Sequence, residues 1–90
     1  MIVLSYDIAD DKLRTRFSKY ILRFGHRIQY SVYEIDNSPQ VLENIIQDIN
    51  NIYGKKFGQE DSVYIFRLSQ NCKIIRLGYA KNEEKDFVIV

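Results

Sequence analysis

The chain has 90 residues, of which 46% are hydrophobic and 13% aromatic, with a formal net charge of +1 and a single cysteine. This length supports one domain and excludes a second core, because a chain of this size buries only about 60 to 70% of the surface it exposes when unfolded. Seven Tyr and five Phe against four Gly and one Pro exclude a linker or disordered tail, and the solitary Cys72 excludes an internal disulfide, suits a reducing compartment and reads as a small buried apolar residue.

Residues 2 to 6 form a continuous apolar run, IVLSY, which predicts a central strand buried on both faces and ending at Asp7. An acid at position 7, with no basic leader and no long apolar core, predicts neither a signal peptide nor a membrane span, and the expected location is the cytoplasm. Asp10 or Asp11 can cap the helix that follows, in which Leu13, Phe17, Tyr20, Ile21 and Phe24 recur at core-facing spacing and Gly25 supplies the stop. Arg27 to Ile35 reads as β-structure, either one strand or a tight hairpin. Ser38-Pro39 then offers a cap and a first helical residue, Val41, Leu42, Ile45, Ile46, Ile49 and Ile52 follow at helical spacing, and Gly54 ends the second helix. Residues 55 to 60 connect to a strand over Ser62 to Leu68, and Lys73 to Leu77 predicts another.

The charged stretch Lys81 to Asp86 precedes Phe87-Val88-Ile89-Val90, four β-favouring residues that in a monomer would form an unprotected edge. This segment is expected to pair with a sheet, that of a second subunit. The order of elements predicts an α+β ferredoxin-like fold: an antiparallel sheet with two helices on one face, in a single domain over 1–90. Its core would span about 1–78, and 79–90 would be an extension carrying the dimer-pairing strand.

The near-neutral charge conceals a strong asymmetry. Lys12, Arg14, Arg16, Lys19, Arg23 and Arg27 occur between positions 12 and 33 without one acid, whereas positions 34 to 61 hold six acids against Lys55 and Lys56. A localised basic surface is what anion steering requires. On the first helix Lys12, Arg16, Lys19 and Arg23 follow spacings of four, three and four, which lines them up along one exposed face; without interspersed Glu they repel each other, as a stabilising surface face would not. Arg14 flanks the apolar face in the same first turns, near Asp7, and both Arg14 and Arg16 can present two donors to a phosphate. The pattern points to phosphate binding.

Asp7 stands at a strand-to-helix junction, a position that often hosts function. An acid there can also serve only as a cap, but Asp10 and Asp11 already offer that service. One carboxylate is a poor Mg2+ site, since Mg2+ takes one or two carboxylates together with waters and phosphates in an octahedron. A twofold dimer would bring two copies of Asp7 together across its axis, where a held metal could activate water for phosphodiester attack. Tyr30 or Tyr33 could stack on a base, with at most one of them facing a ligand. His26, the only histidine, reads as a contact of the last helical carbonyls. A glycine-rich phosphate loop, a paired-cysteine zinc pattern and a Ser-His-Asp or Cys-His set are all missing.

Tyr6-Asp7-Ile8, Asp10-Asp11, Arg14, Arg16, the run RIQYSVYE from Arg27 to Glu34, and Asp61-Ser62-Val63 together resemble the family of CRISPR-associated protein two, the small partner of the spacer integrase that is often described as an endoribonuclease. The resemblance covers nearly the whole chain. It implies a ferredoxin-like homodimer whose last strand joins the neighbour's sheet, with Asp7 as the metal-site and catalytic aspartate and Arg14, Arg16 and Arg27 as nucleic-acid contacts. Tyr33 takes the place of the usual phenylalanine, His26 that of an apolar residue, and Tyr64 that of a frequent arginine. The implied partners are DNA, RNA and the integrase subunits, CRISPR-associated protein one. The implied role is an adaptor in spacer acquisition, with Mg2+-dependent endonuclease activity at Asp7. Two other functions are compatible with the residues: a toxin ribonuclease related to virulence-associated protein D, and a non-catalytic ferredoxin-like module that binds nucleic acid or a regulatory ligand.

Overall fold

In the computed structural model, which describes residues 1–73, 75, 77 and 78, four strands form one antiparallel sheet with two helices on one face. In chain order the elements are β1 (Ile2–Asp7), α1 (Asp11–Ile21), β2 (Gly25–Gln29), β3 (Val32–Ile35), α2 (Pro39–Asp48) and β4 (Ser62–Arg67), and the sheet order is β2-β3-β1-β4. This is the expected ferredoxin-like topology. Between α2 and β4 the chain passes through a wider π-type turn, Ile49–Tyr53, and a 3-10 turn, Gly54–Lys56. The expected strand over 73–77 falls partly outside the described residues, and the pairing strand over 87–90 falls wholly outside them.

Side chains of β1 alternate strictly. Ile2, Leu4 and Tyr6 are buried against the helices, whereas Val3 and Ser5 are half-buried and Asp7 is exposed on the opposite face. The expectation of a strand buried on both faces is therefore corrected, because both helices pack on the same side of an antiparallel sheet and, among the described residues, no element covers the other side. The core joins these residues to Leu13, Phe17, Tyr20 and Ile21 of α1, Tyr33 and Ile35 of β3, and Ile45 of α2. Phe17 lies at its centre, edge-on to Tyr6 and to Tyr53 with ring centroids 5.2 Å away in each case. Tyr20 closes the far end by donating a hydrogen bond to Asp48 on α2.

Local signals explain where each element begins. Asp10 Oδ2 accepts the Leu13 amide at 2.8 Å and Ser38 Oγ accepts the Val41 amide at 3.3 Å, so Asp10, rather than Asp11, is the first cap and Ser38 the second. The helix stops are less faithful to their glycines. Helix α1 ends at Ile21 with Leu22 as its cap, and Gly25 opens β2. Its missing side chain is required there because a Cβ would sit 1.9 Å from the Glu34 carbonyl oxygen. Residues 27 to 35 resolve into a hairpin whose two-residue turn is Tyr30-Ser31, with Ser31 at φ 66°. Among the described residues no helix is long and apolar enough to cross a membrane.

Candidate nucleic-acid interface and carboxylate site

Asp7 is the last residue of β1 and is paired with Ser62 of β4. On its face of the sheet the neighbouring strands present Val32 and Glu34 from β3, and Tyr64 and Phe66 from β4. Tyr64 and Phe66 are 61% and 45% exposed and lie stacked, 6.2 Å between centroids, so this face carries apolar surface around the carboxylate. His26 belongs to β2 and pairs across to Glu34, Nε2 to Oε1 3.5 Å, on this same face rather than at the end of α1.

The loop behind Asp7 is held from two sides. Arg14 Nη1 donates to the Ile8 carbonyl at 3.0 Å and to the Ala9 carbonyl at 3.3 Å, while Nη2 makes an ion pair with Asp11. Asp61, just before β4, accepts the Ala9 amide at 2.9 Å through Oδ1 and the Gly58 amide at 2.8 Å through Oδ2. Those two backbone donors hold its carboxyl below the usual range. Asp61 thus ties the strand that pairs with Asp7 to the loop that follows Asp7. Its only sequence signal was its place in the family-like Asp61-Ser62-Val63 segment, because the bond spans 52 positions.

Arg14 is therefore a loop tether in the structure, partly withdrawn from solvent, and not a free fork beside Asp7. Lys12, Arg16 and Lys19 are exposed on α1, and among the described residues none of them pairs with a carboxylate. Arg23 lies beyond the last residue of α1, its guanidinium 5.6 Å from the Phe24 ring centroid and 6.0 Å from that of Tyr20. The predicted cationic line exists, then, but on the helical side. Asp7 points to the other face of the sheet, which corrects the expectation of a carboxylate set beside that stripe.

Tyr33 is fully buried, so stacking of its ring on a base is ruled out and the expectation that it does so is corrected. Alternation along β3 placed it inward with Ile35, while Tyr30 in the turn is 78% exposed. The Tyr33 hydroxyl is instead the hub of a polar cluster: Ser18 Oγ lies 2.7 Å away, Tyr6 OH 3.3 Å, and Arg27 Nη2 donates to it at 3.3 Å and to Ser18 Oγ at 3.4 Å. The guanidinium also covers the Tyr33 ring, 5.6 Å from its centroid. Burial alone would push the Tyr33 phenol up. The bonds from Ser18, Tyr6 and Arg27, with the guanidinium charge, bring it below its ordinary value instead. Burial and the Tyr33 bond hold Tyr6 above its ordinary value.

The described residues contain no group of three or more His, Cys, Asp and Glu arranged to hold a metal. Asp7 offers one carboxylate per chain, a hard oxygen ligand of the kind Mg2+ takes, but by itself a poor site; one or two such carboxylates with water and phosphate oxygen are what the ion requires.

A family profile described as CRISPR associated protein Cas2 matches residues 1–74. The chain is 30% identical over 90 residues to CRISPR-associated endoribonuclease Cas2 2 of Methanospirillum hungatei, covering 98% of this chain and 97% of the relative. Among solved structures, Streptococcus pyogenes Cas2 aligns with a TM-score of 0.63 at 27% identity, over 79% of this chain and 89% of that one. A hypothetical protein from Thermus thermophilus shares the fold, with a TM-score of 0.73 at 23% identity over 87% and 89% of the two chains. On sequence span and fold together, the chain belongs to the CRISPR associated protein Cas2 family.

Proposed function

We propose that this protein is a homodimeric CRISPR adaptation protein that binds nucleic acid along α1, bridges the subunits of the spacer integrase, and cleaves phosphodiesters at a divalent-metal site shared by two copies of Asp7. The observation that carries the reading is the position of Asp7, an exposed carboxylate on the partly apolar face of the sheet away from the helices. Stacked Tyr64 and Phe66 make that face costly to leave in water, and a second copy docking there by a twofold axis would bring its own Asp7 toward the first. The names of relatives such as the Methanospirillum protein supply the endoribonuclease class.

Within this reading the residues divide the work. Lys12, Arg16, Lys19 and Arg23 follow the phosphate backbone without reading sequence. Arg14 and Asp61 fix the loop that aims Asp7, and the paired Asp7 carboxylates hold the cation. When bound, Mg2+ supplies charge to a phosphate oxygen and acidifies water for attack. The adaptor role needs the cationic line and the dimer, but not Asp7.

The test compares cleavage of single-stranded RNA and duplex DNA by wild type and Asp7→Asn, with and without Mg2+, after light scattering has confirmed that both variants have the same oligomeric state. Metal-dependent cleavage lost in Asp7→Asn supports the nuclease. Cleavage equal in both proteins, or none in either, removes Asp7 from catalysis and leaves the adaptor role alone.

A further inference from the structure

Lys55 and Lys56 belong, as sequence, to the acidic half of the chain, yet the fold carries them to α1. They occupy the 3-10 turn Gly54–Lys56, and the aromatic residues on either side of that turn are both seated on Phe17 in the middle of α1, Tyr53 with ring centroids 5.2 Å apart and Phe57 with centroids 6.5 Å apart. Tyr53 also meets Tyr20, the next residue of the buried stripe, at 5.0 Å. A 3-10 turn rises about 2 Å per residue, so the three residues between these anchors span only ~6 Å and keep the two lysines close to the helix. Burial and the Asp48 charge raise the Tyr53 phenol, while the Arg23 and Arg16 guanidinium groups oppose them, so both arginines stand near the start of the turn.

The turn is built rather than loose. The Gly54 amide donates to the Ile49 carbonyl and closes the π-type turn, and a Cβ on Gly54 would lie 2.7 Å from that oxygen, closer than a side chain can approach. Turns of this wide kind are rare and recur at functional sites. Between Ile49 and Phe57 the chain carries no acid. Of the acids that flank this stretch, Asp48 accepts the Tyr20 hydroxyl, Asp61 accepts the amides of Ala9 and Gly58, and Glu60 is exposed. Lys55 and Lys56 are exposed, and among the described residues neither makes an ion pair. Like charges gathered on one surface repel each other and cost stability, a cost that a polyanion laid across them removes.

We propose that Lys55 and Lys56 are phosphate contacts of the nucleic-acid interface, so that the bound backbone lies against a band two elements wide, α1 and the 3-10 turn, and not against one helix alone. The inference rests on the nucleic-acid-binding half of the reading above and is independent of Asp7. A lysine meets phosphate as a point charge, so this pair adds affinity and fixes the lie of the backbone on the protein without reading sequence.

The experiment is fluorescence anisotropy in EDTA with one labelled DNA duplex over a series of salt concentrations, which yields the slope of log affinity against log salt. Lys55→Gln/Lys56→Gln is expected to lower the slope by about 1.8, since each phosphate contact contributes roughly 0.9. Arg67→Gln/Lys73→Gln makes the same change of net charge at exposed positions at the far end of β4 and beyond it, and is expected to leave the slope unchanged. All four are exposed side chains, so the core is untouched in both variants. A slope that survives Lys55→Gln/Lys56→Gln, or one that falls equally in both variants, overturns the proposal and leaves duplex binding along α1 in place. A wild-type protein that binds no duplex overturns this proposal together with the nucleic-acid reading.

Discussion

Replacing Tyr33 by Phe isolates one atom at the centre of the molecule. The ring is fully buried and remains in place, 5.8 Å from the Tyr6 ring and nearly parallel to it at 21°. What disappears is the hydroxyl that meets Ser18 at 2.7 Å and both Tyr6 and Arg27 at 3.3 Å. A net intramolecular hydrogen bond contributes about 1 kcal/mol, and a buried partner left unpaired costs more than the bond contributed. Only the Ser18 contact is short, Ser18 retains Arg27 as a donor at 3.4 Å, and Tyr6 keeps Ser18 and Ser31 as hydrogen-bond partners, so the two longer contacts count for little and the loss comes chiefly from the short bond. The expected loss is about 1 to 2 kcal/mol, or a fall in melting temperature of roughly 5 to 15 °C for a domain of this size. Urea unfolding at fixed protein concentration measures it, since any dimer makes stability concentration-dependent. A variant within about 0.5 kcal/mol of wild type, or more stable than it, would refute the view that this hydroxyl organises the cluster.

Other expectations follow from the same contacts. Phe17→Ala, at a fully buried site ringed by Tyr6, Tyr20, Tyr53 and Phe57, is expected to cost about 3 to 5 kcal/mol in chemical denaturation. Gly25→Ala drives a methyl group into the Glu34 carbonyl and is expected to disrupt the β2–β3 hairpin, read as early loss of amide protection across Arg27 and Tyr33. Asp61 has a folded-state pKa below its ordinary 3.8, so its stabilising contribution is complete above that value and is lost as the pH falls through the lower folded value; Asp61→Asn should flatten this acid limb of the stability profile. Changing Lys12, Arg16 and Lys19 together to Gln should reduce the slope of log affinity for duplex DNA against log salt by about 2.7, because each phosphate contact contributes roughly 0.9.

Element identity was legible where local chemistry decides it. Asp10 and Ser38 cap, Pro39 opens a helix, and the spacing of Leu13, Phe17, Tyr20 and Ile21 marks the buried stripe. What local pattern does not carry is the side from which a residue is covered. The apolar run of β1 suggested burial on both faces, yet an antiparallel sheet with helices on one side buries only alternate positions. Tyr33 and Tyr30 were both open to a ligand as sequence, and the two-residue turn at Ser31 settled the matter by setting the register of β3. Arg14 sits where a helical projection places it, but its role depends on a loop conformation that brings the Ile8 and Ala9 carbonyls within reach. Asp61 does its work across 52 positions, a distance at which periodicity holds no information. The exposure of Lys12, Arg16 and Lys19 along α1, by contrast, was readable because it is a property of one helix, whereas Arg23 lies beyond the helix end.

The claim at the centre of the account is that two copies of Asp7 share one divalent cation, and its most direct test is the stoichiometry of Mn2+ bound as a substitute for Mg2+, read by electron paramagnetic resonance on protein of known oligomeric state. The account predicts one tightly held ion per two chains in wild type and none in a dimeric Asp7→Asn variant. One ion per chain, or binding unchanged by Asp7→Asn, would contradict it.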